Sequence, residues 1–211
     1  MDIASIRKEY TLKSLEIKDV NEHPFTQFHN WFQEAVSSKV LEVNAMTLST
    51  FGTDGYPNAR IVLLKELDYG FVFFTNYKSE KGRELLQSPK AALTFYWGEL
   101  ERQVRVVGDV EVISDEQSDE YFTSRPVGSQ IGAWASPQSE KINSREFLEK
   151  QLENFKKEFE SKPLTRPPHW GGFRVIPNKI EFWQGRPSRL HDRILYEINE
   201  EGTWTISRLA P

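Results

Sequence analysis

The sequence holds 211 residues, of which 38% are hydrophobic, 27% charged and 13% aromatic, with a formal net charge of −4 and no cysteine. That is enough chain for one sizeable core, and its mildly acidic balance offers no global field for a nucleic-acid backbone or an anionic membrane, so any anion site must be local. Disulfides, thiolate metal sites and cysteine nucleophiles are excluded outright.

The N-terminal stretch "MDIASIRKEYTLKSLEIKD" has neither a continuous apolar centre nor a cleavage-like tail, and no apolar run reaches membrane-spanning length. A cytoplasmic enzyme or binding protein is the expectation. In "HPFTQFHNWFQEAVSSKV", Phe25, Phe28, Phe32, Ala35 and Val36 recur at helical spacing behind Pro24, which suits a first turn, and predict a core-facing helix. "NAMTLSTFGTDGYPNARIVLLKELD" reads as two strands around a two-residue hairpin turn at Asp54-Gly55, and "YGFVFFTN" as a third strand.

"SEKGRELLQS" predicts a short helix stopped by Pro89, followed by the strands "AALTFYWG" and "RQVRVVGDVEVI". Asp115 to Tyr121 reads as helix. "REFLEKQLENFKKEFE" reads as a stronger amphipathic one, striped by Phe147, Leu148, Leu152, Phe155 and Phe159. After the turn-rich "KPLTRPPHWGG" come the strands "FRVIPNKIEFWQG", "RLHDRILYEI" and "TWTISRL". About eight strands and three or four helices, joined largely by short connections, imply a mainly antiparallel sheet closed or nearly closed as a barrel, in a single domain.

Dinucleotide, P-loop, zincin and hydrolase-elbow motifs are all missing, and His23, His29, His169 and His191 lack ligand spacing, so no metal site is expected. What stands out is cations embedded in apolar strands. Arg60 and Lys65 bracket four aliphatics in "ARIVLLKEL" and fall on opposite faces of an ideal strand; each must reach solvent or an anion. In "YFTSRPVGSQIGAW", Tyr121, Arg125 and Ser129 have the spacing of one helical face, but Pro126 biases Arg125 out of the helix. A helix starting at Pro126 would aim free N–H groups at a phosphate beside those side chains, and an ordinary kinked helix pair is the competing account.

Gln103 and Arg105 share a strand face, and Trp183 either stacks on a planar ligand or fills a barrel end. In "RPSRLHDR", strand alternation would put Arg189, His191 and Arg193 on one side as a cationic comb, which serves either an anion or a solvated sheet edge.

Taken in order, "RIVLLK", "FTNYKSEKG", "ERQVRV", "YFTSRPVGSQIGAW", "SPQS", "WGGFRV", "IEFWQG", "RLHDR" and "ISRLAP" closely resemble the pyridoxamine 5'-phosphate oxidase family, FMN-dependent enzymes that make pyridoxal 5'-phosphate. The match runs from about Arg7 to Pro211. It implies an antiparallel split β-barrel with flanking helices, an FMN-binding fold spanning residues 1–211, of which about 1–20 form a mobile N-terminal segment. It further implies a homodimer with FMN across the interface and active sites drawn from both subunits.

Carried over by motif, Arg60, Ile61, Val62, Leu63, Leu64, Lys65, Phe74, Thr75, Lys81, Gln103, Gln138, Ser139, Trp183 and Arg193 would line the flavin, with Arg60, Lys81 and Ser139 at its phosphate. Lys65, Tyr121, Arg125 and Ser129 would hold the substrate phosphate. Arg189, Leu190 and His191 would lie at its pyridine ring, with Arg189 and His191 as catalytic residues and Arg7 and Tyr10 closing over it. The implied reaction oxidises pyridoxamine or pyridoxine 5'-phosphate with O2. The alternatives are another split-barrel flavin reductase or oxidase and a non-catalytic pyridoxal-phosphate-binding protein. One departure is Glu80, which stands where the family commonly has an arginine at the FMN phosphate; either Lys81 and Arg60 suffice, or Arg83 compensates, or flavin affinity is weaker.

Overall fold

The computed structural model describes all 211 residues. Helix α1 (Pro24–Ser37) opens with Pro24 and with the His23 ring accepting from the Phe25 amide at 3.3 Å. Strands β1 (Ala45–Phe51), β2 (Pro57–Leu63), β3 (Glu66–Leu67) and β4 (Phe71–Asn76) follow, then α2 (Glu80–Gln87), capped by Ser79. Next come β5 (Lys90–Trp97), β6 (Arg102–Val112), α3 (Asp115–Ser124), α4 (Val127–Ala135) and α5 (Arg145–Phe159). The chain ends in β7 (Trp170–Gln184), β8 (Asp192–Ile198) and β9 (Trp204–Leu209).

All nine strands join one antiparallel sheet in the order β2-β1-β5-β6-β7-β4-β3, with β8 and β9 branching from β7. The branch arises because the long β7 changes partner: Trp170–Val175 pairs with β4 and Lys179–Gln184 with β8, while β6 runs along its other edge. A register shift at Val107/Gly108 bends the β6–β7 pair, and Gly108 is required there because a Cβ would stand 2.0 Å from the Ile176 carbonyl oxygen. The sheet curls into a half-barrel. Its concave side is filled by an aromatic core in which Phe28 meets Phe71 and Phe95 at 5.0 Å each, and Trp31 meets Phe182 at 5.2 Å.

Several expectations change. Trp31, not Val36, completes the buried face of α1, since positions 28, 31 and 35 form the stripe and Val36 is 47% exposed. The β1–β2 register ends at Phe51↔Pro57, so the connection is a five-residue loop rather than a two-residue turn, closed by Gly52 N–H to Tyr56 O at 2.8 Å. Gly55 supplies the positive φ within it. The amphipathic α5 is present as read; no residue of it is buried, and Phe155 and Phe159 of its stripe pack on Trp134 of α4. The "RLHDRILYEI" strand begins only at Asp192, because Pro187, Ser188 and Arg189 form a tight 3₁₀ turn with Ser188 and Arg189 at φ 57° and 61°. The expected cationic comb therefore does not exist; of its three members only Arg193 is on a strand. Its guanidinium grips Glu181 at 2.8 and 3.0 Å.

The break at Pro126 is present. Arg125 is extended (φ −77°, ψ 151°), which ends α3, and α4 starts immediately after the proline.

Candidate functional site

Two clefts collect most of the candidate residues. The first, about 500 Å³, lies between the outer face of β2, the end of β4, the first turn of α2 and the α3–α4 junction. Ile61 and Leu63 project from β2 because alternate residues of that strand point away from the core, and they are 63% and 37% exposed. Val62 and Lys65 complete that wall, and Phe74 and Thr75 close the end. The Thr75 hydroxyl donates to the Gln138 amide oxygen at 3.3 Å.

At the far side of this cleft, Tyr121 stacks on Phe74 at 3.9 Å and Phe74 on Trp170 at 5.4 Å, with the Arg125 guanidinium 4.6 Å over the Trp170 ring. Ser129, in the first turn of α4, also lines the cleft. Arg125 Nη1 is buried and has no hydrogen-bond partner in the protein. Burial lowers the Arg125 pKa, opposed only by Tyr121. A guanidinium nitrogen buried without a partner is costly, and an anion with several acceptor oxygens is the ligand that relieves it.

Lys81 lines the same cleft from α2. Burial lowers its pKa and the neighbouring Arg60 charge lowers it further, against Glu80 and Glu84. A desolvated ammonium with a second cation close by makes a second place for an anion. Arg60 does not line the cleft; it is held behind β2 by Glu84 at 2.8 Å and by the Thr50 hydroxyl. Glu84 is 2% exposed and also accepts from Thr50 at 2.6 Å and Asn58 at 2.9 Å. Leu64 belongs to the core, and Ser139 is exposed in left-handed backbone (φ 71°) beside Gln138. Glu80 is exposed, and Arg83 turns to the Lys78 carbonyl rather than into the cleft.

Glu84 went unnoticed in the sequence because nothing local marks a helix glutamate as buried. Burial pushes its carboxyl up, but hydrogen bonds from Thr50, Asn58 and Arg60 and the Arg60 charge hold it below 4.5. Glu84→Ala is expected to cost about 3 kcal/mol in urea unfolding, since it strands Arg60. The carboxylate's contribution is complete above pH 4.5 and is lost as pH falls through its folded-state value, so the wild-type protein should lose more stability there than the variant, which keeps only the other paired carboxylates. Equal pH dependence of the two would contradict this.

The second cleft, about 690 Å³, is lined by Arg7, Lys8, Tyr10, Arg186, Arg189 and His191, with Ile6, Glu9 and Ser188. The His191 ring lies 4.7 Å from Trp183 and 5.8 Å from Tyr10, and Tyr10 meets Trp183 edge-on at 5.7 Å. Burial and the Arg189 charge lower the His191 pKa, against Asp192. The Arg186 backbone N–H donates to His191 Nδ1 at 3.1 Å, so the neutral ring carries its proton on Nε2 and presents a donor. Leu190 is exposed beside it.

Gln103, Trp183 and Arg193 line neither cleft; they meet across β6, β7 and β8, with Gln103 opposite Trp183 and Trp183 opposite Arg193. The two clefts share no residue. One chain thus divides most of the expected site residues between two clefts. No group of three or more His, Asp or Glu side chains is placed to hold a metal, and no helix is long and apolar enough to cross a membrane.

Comparison with known proteins gives a consistent picture. Residues 32–158 match the family model described as pyridoxamine 5'-phosphate oxidase, and residues 170–211 match that described as the pyridoxine 5'-phosphate oxidase C-terminal dimerisation region. A pyridoxine/pyridoxamine 5'-phosphate oxidase of Nostoc punctiforme is 55% identical over 210 residues, 99% of this chain and 98% of the relative. Among solved structures, PhzG from Burkholderia lata in complex with tetrahydrophenazine-1-carboxylic acid superposes with a TM-score of 0.88 at 29% identity, covering 97% of this chain and all (100%) of that one. A pyridoxamine 5'-phosphate oxidase-related FMN-binding protein from Nostoc punctiforme shares the fold, with a TM-score of 0.72 at 18% identity over 91% of this chain and 100% of that one.

Proposed function

The chain belongs to the pyridoxamine 5'-phosphate oxidase family, and from that premise we propose that it oxidises pyridoxamine and pyridoxine 5'-phosphates to pyridoxal 5'-phosphate in the cytoplasm. It is an FMN-dependent oxidoreductase and a homodimer. In the proposed reaction the amine, O2 and water give the aldehyde, ammonia and H2O2; the alcohol and O2 give the aldehyde and H2O2. FMN, when bound, supplies the two-electron acceptor.

The observation that carries the substrate assignment is the orphaned Arg125 Nη1 beside Tyr121 and Ser129. A phosphate monoester has the charge and the acceptors for that position, with Lys65 as a further cation. The flavin assignment rests on the apolar β2 wall, on Thr75 and Gln138 as polar edge contacts, and on the desolvated Lys81, backed by Arg60, for its phosphate. Ser139 follows Gln138 directly and is placed with them. Gln103, Trp183 and Arg193 would close over the ring from the other half of the site.

Each active site takes one cleft from each protomer. A substrate held at its phosphate by Arg125 must be reached at its ring by Arg189 and His191, yet these lie in separate clefts of one chain. They also lie in the stretch matched by the dimerisation model. So one protomer provides Lys65, Tyr121, Arg125 and Ser129, and its partner provides Arg7, Tyr10, Arg189, Leu190 and His191. Clamping both ends fixes the reacting carbon, so remote binding energy is used for orientation.

His191 acts here as a donor through Nε2. Its charge form loses the Arg186 N–H bond, so kcat/KM should fall on acidification with a limb below the ordinary imidazole value of 6.5. That limb should vanish in His191→Gln. A limb above 6.5 that survives the substitution would contradict the role.

The assignment is tested by the visible spectrum of the purified protein. Anaerobic pyridoxamine 5'-phosphate should bleach the flavin band and O2 should restore it. A bound flavin that neither vitamin phosphate reduces would favour another flavoprotein activity.

A further inference from the structure

The N-terminal strap is fastened at a point the substrate contacts do not explain. Glu101 closes the turn between β5 and β6, and its side chain is 3% exposed. Its Oε2 accepts the backbone N–H of Thr11 at 2.8 Å and of Leu12 at 3.0 Å, and its Oε1 stands 3.9 Å from the Lys8 ammonium. A buried carboxylate that takes two amide donors makes strong charge-assisted bonds, and without it both donors lose their partner.

Glu101 itself occupies left-handed backbone (φ 54°, ψ 39°), a conformation costly for a side chain of its kind. That conformation is held by the neighbouring strand end: the Gly185 N–H donates to the Glu101 carbonyl at 2.7 Å and the Gln184 amide at 3.2 Å. Gly185 also forms the seat of Tyr10, because a Cβ there would come within 2.7 Å of the ring. Tyr10 thereby meets Trp183 and His191. A second fastening follows at Leu15, whose N–H donates to Asp192 at 3.0 Å.

We propose that Glu101 is a positioning residue for the oxidation: its carboxylate anchors residues 10–12 and so fixes Tyr10 over Trp183 and His191. This rests on the placing of Tyr10 and His191 at the substrate ring. Losing the Glu101 anchor frees the chain up to Leu15, including the exposed Arg7, Lys8 and Lys13, while the Asp192 fastening keeps the rest in place.

The test uses the FMN-loaded dimer. Glu101→Ala should speed tryptic cleavage at Lys8 and Lys13 about tenfold and raise the KM for pyridoxamine 5'-phosphate about tenfold, with kcat and FMN affinity within about threefold. Glu101→Gln keeps an acceptor oxygen and should bring cleavage and KM back to within about threefold of wild type. Should the alanine variant fail to fold, Glu101→Asn, which tolerates left-handed backbone but retracts the acceptor, should shift both readouts in the same direction. Unchanged cleavage overturns the anchor. Faster cleavage with unchanged KM also overturns the proposal, and Tyr10→Ala then locates the fault. If that variant raises KM, Glu101 does not position Tyr10; if it is silent too, the placing of Tyr10 at the substrate is wrong.

Discussion

Arg125→Ala is expected to raise the KM for pyridoxamine 5'-phosphate by about 10²-fold or more, because a phosphate would lose two charge-assisted hydrogen bonds of about 1.5–3 kcal/mol each. FMN affinity should change little, since the cation proposed for the other phosphate is Lys81, backed by Arg60. The free protein offers an independent readout. Arg125 Nη1 is buried without a partner, so inorganic phosphate or sulfate should raise the melting temperature of the wild type by mass action and fail to do so in the variant. Arg125→Lys should recover only part of the affinity, because an ammonium cannot reproduce the planar stack 4.6 Å over Trp170. An unchanged KM in Arg125→Ala would remove the substrate phosphate from this cleft.

Arg189→Ala should lower kcat/KM by about 10²- to 10³-fold with flavin retention intact, the cost of losing a group that fixes the ring for reaction. Its setting supports so large an effect. The residue is carried in left-handed backbone at φ 61°, directly after Ser188 at φ 57°, a local cost that fixes where its side chain leaves the turn. That turn brings Arg189 into one cleft with Arg7, Lys8, Arg186 and His191, where Glu9 is the sole carboxylate among the lining residues. A cluster of cationic donors suits a ring that carries acceptor atoms, which it holds in one orientation. Loss of flavin with unchanged turnover per bound flavin would reverse the division of roles between the two clefts.

What could be read in the sequence was whatever obeys a local period or a local steric rule. Alternation gave β6, the turn residues Asp54-Gly55 between two runs gave β1 and β2, helical spacing gave α1, and Pro126 foretold the break that leaves Arg125 extended. The failures have a common origin in long-range partners. Alternation cannot see that Pro187 starts a turn, and so it puts Arg189 and His191 on a strand they do not join. The α5 stripe is genuine, and its partner is Trp134 of α4, which period alone does not name.

At the candidate site, the motifs that resemble the family named the lining residues, whereas the residues that hold them were invisible. Glu84 is a surface-looking glutamate until Thr50, Asn58 and Arg60 converge on it. Glu101 likewise needs the strap from 90 residues earlier to show its purpose. Trp170 looked like part of a turn-rich linker and proves to be the platform under Arg125.

Complementation in mixed dimers tests the two-protomer site most directly. Co-expressed Arg125→Ala and Arg189→Ala chains, each nearly inactive alone, would place both lesions in one site of the heterodimer and none in the other. With half of the dimers mixed and one intact site in each, about a quarter of wild-type activity should return, as two-fold symmetry requires. If Arg125 and Arg189 of a single chain served the same site, every site would carry a lesion and the mixture would stay as inactive as its parents.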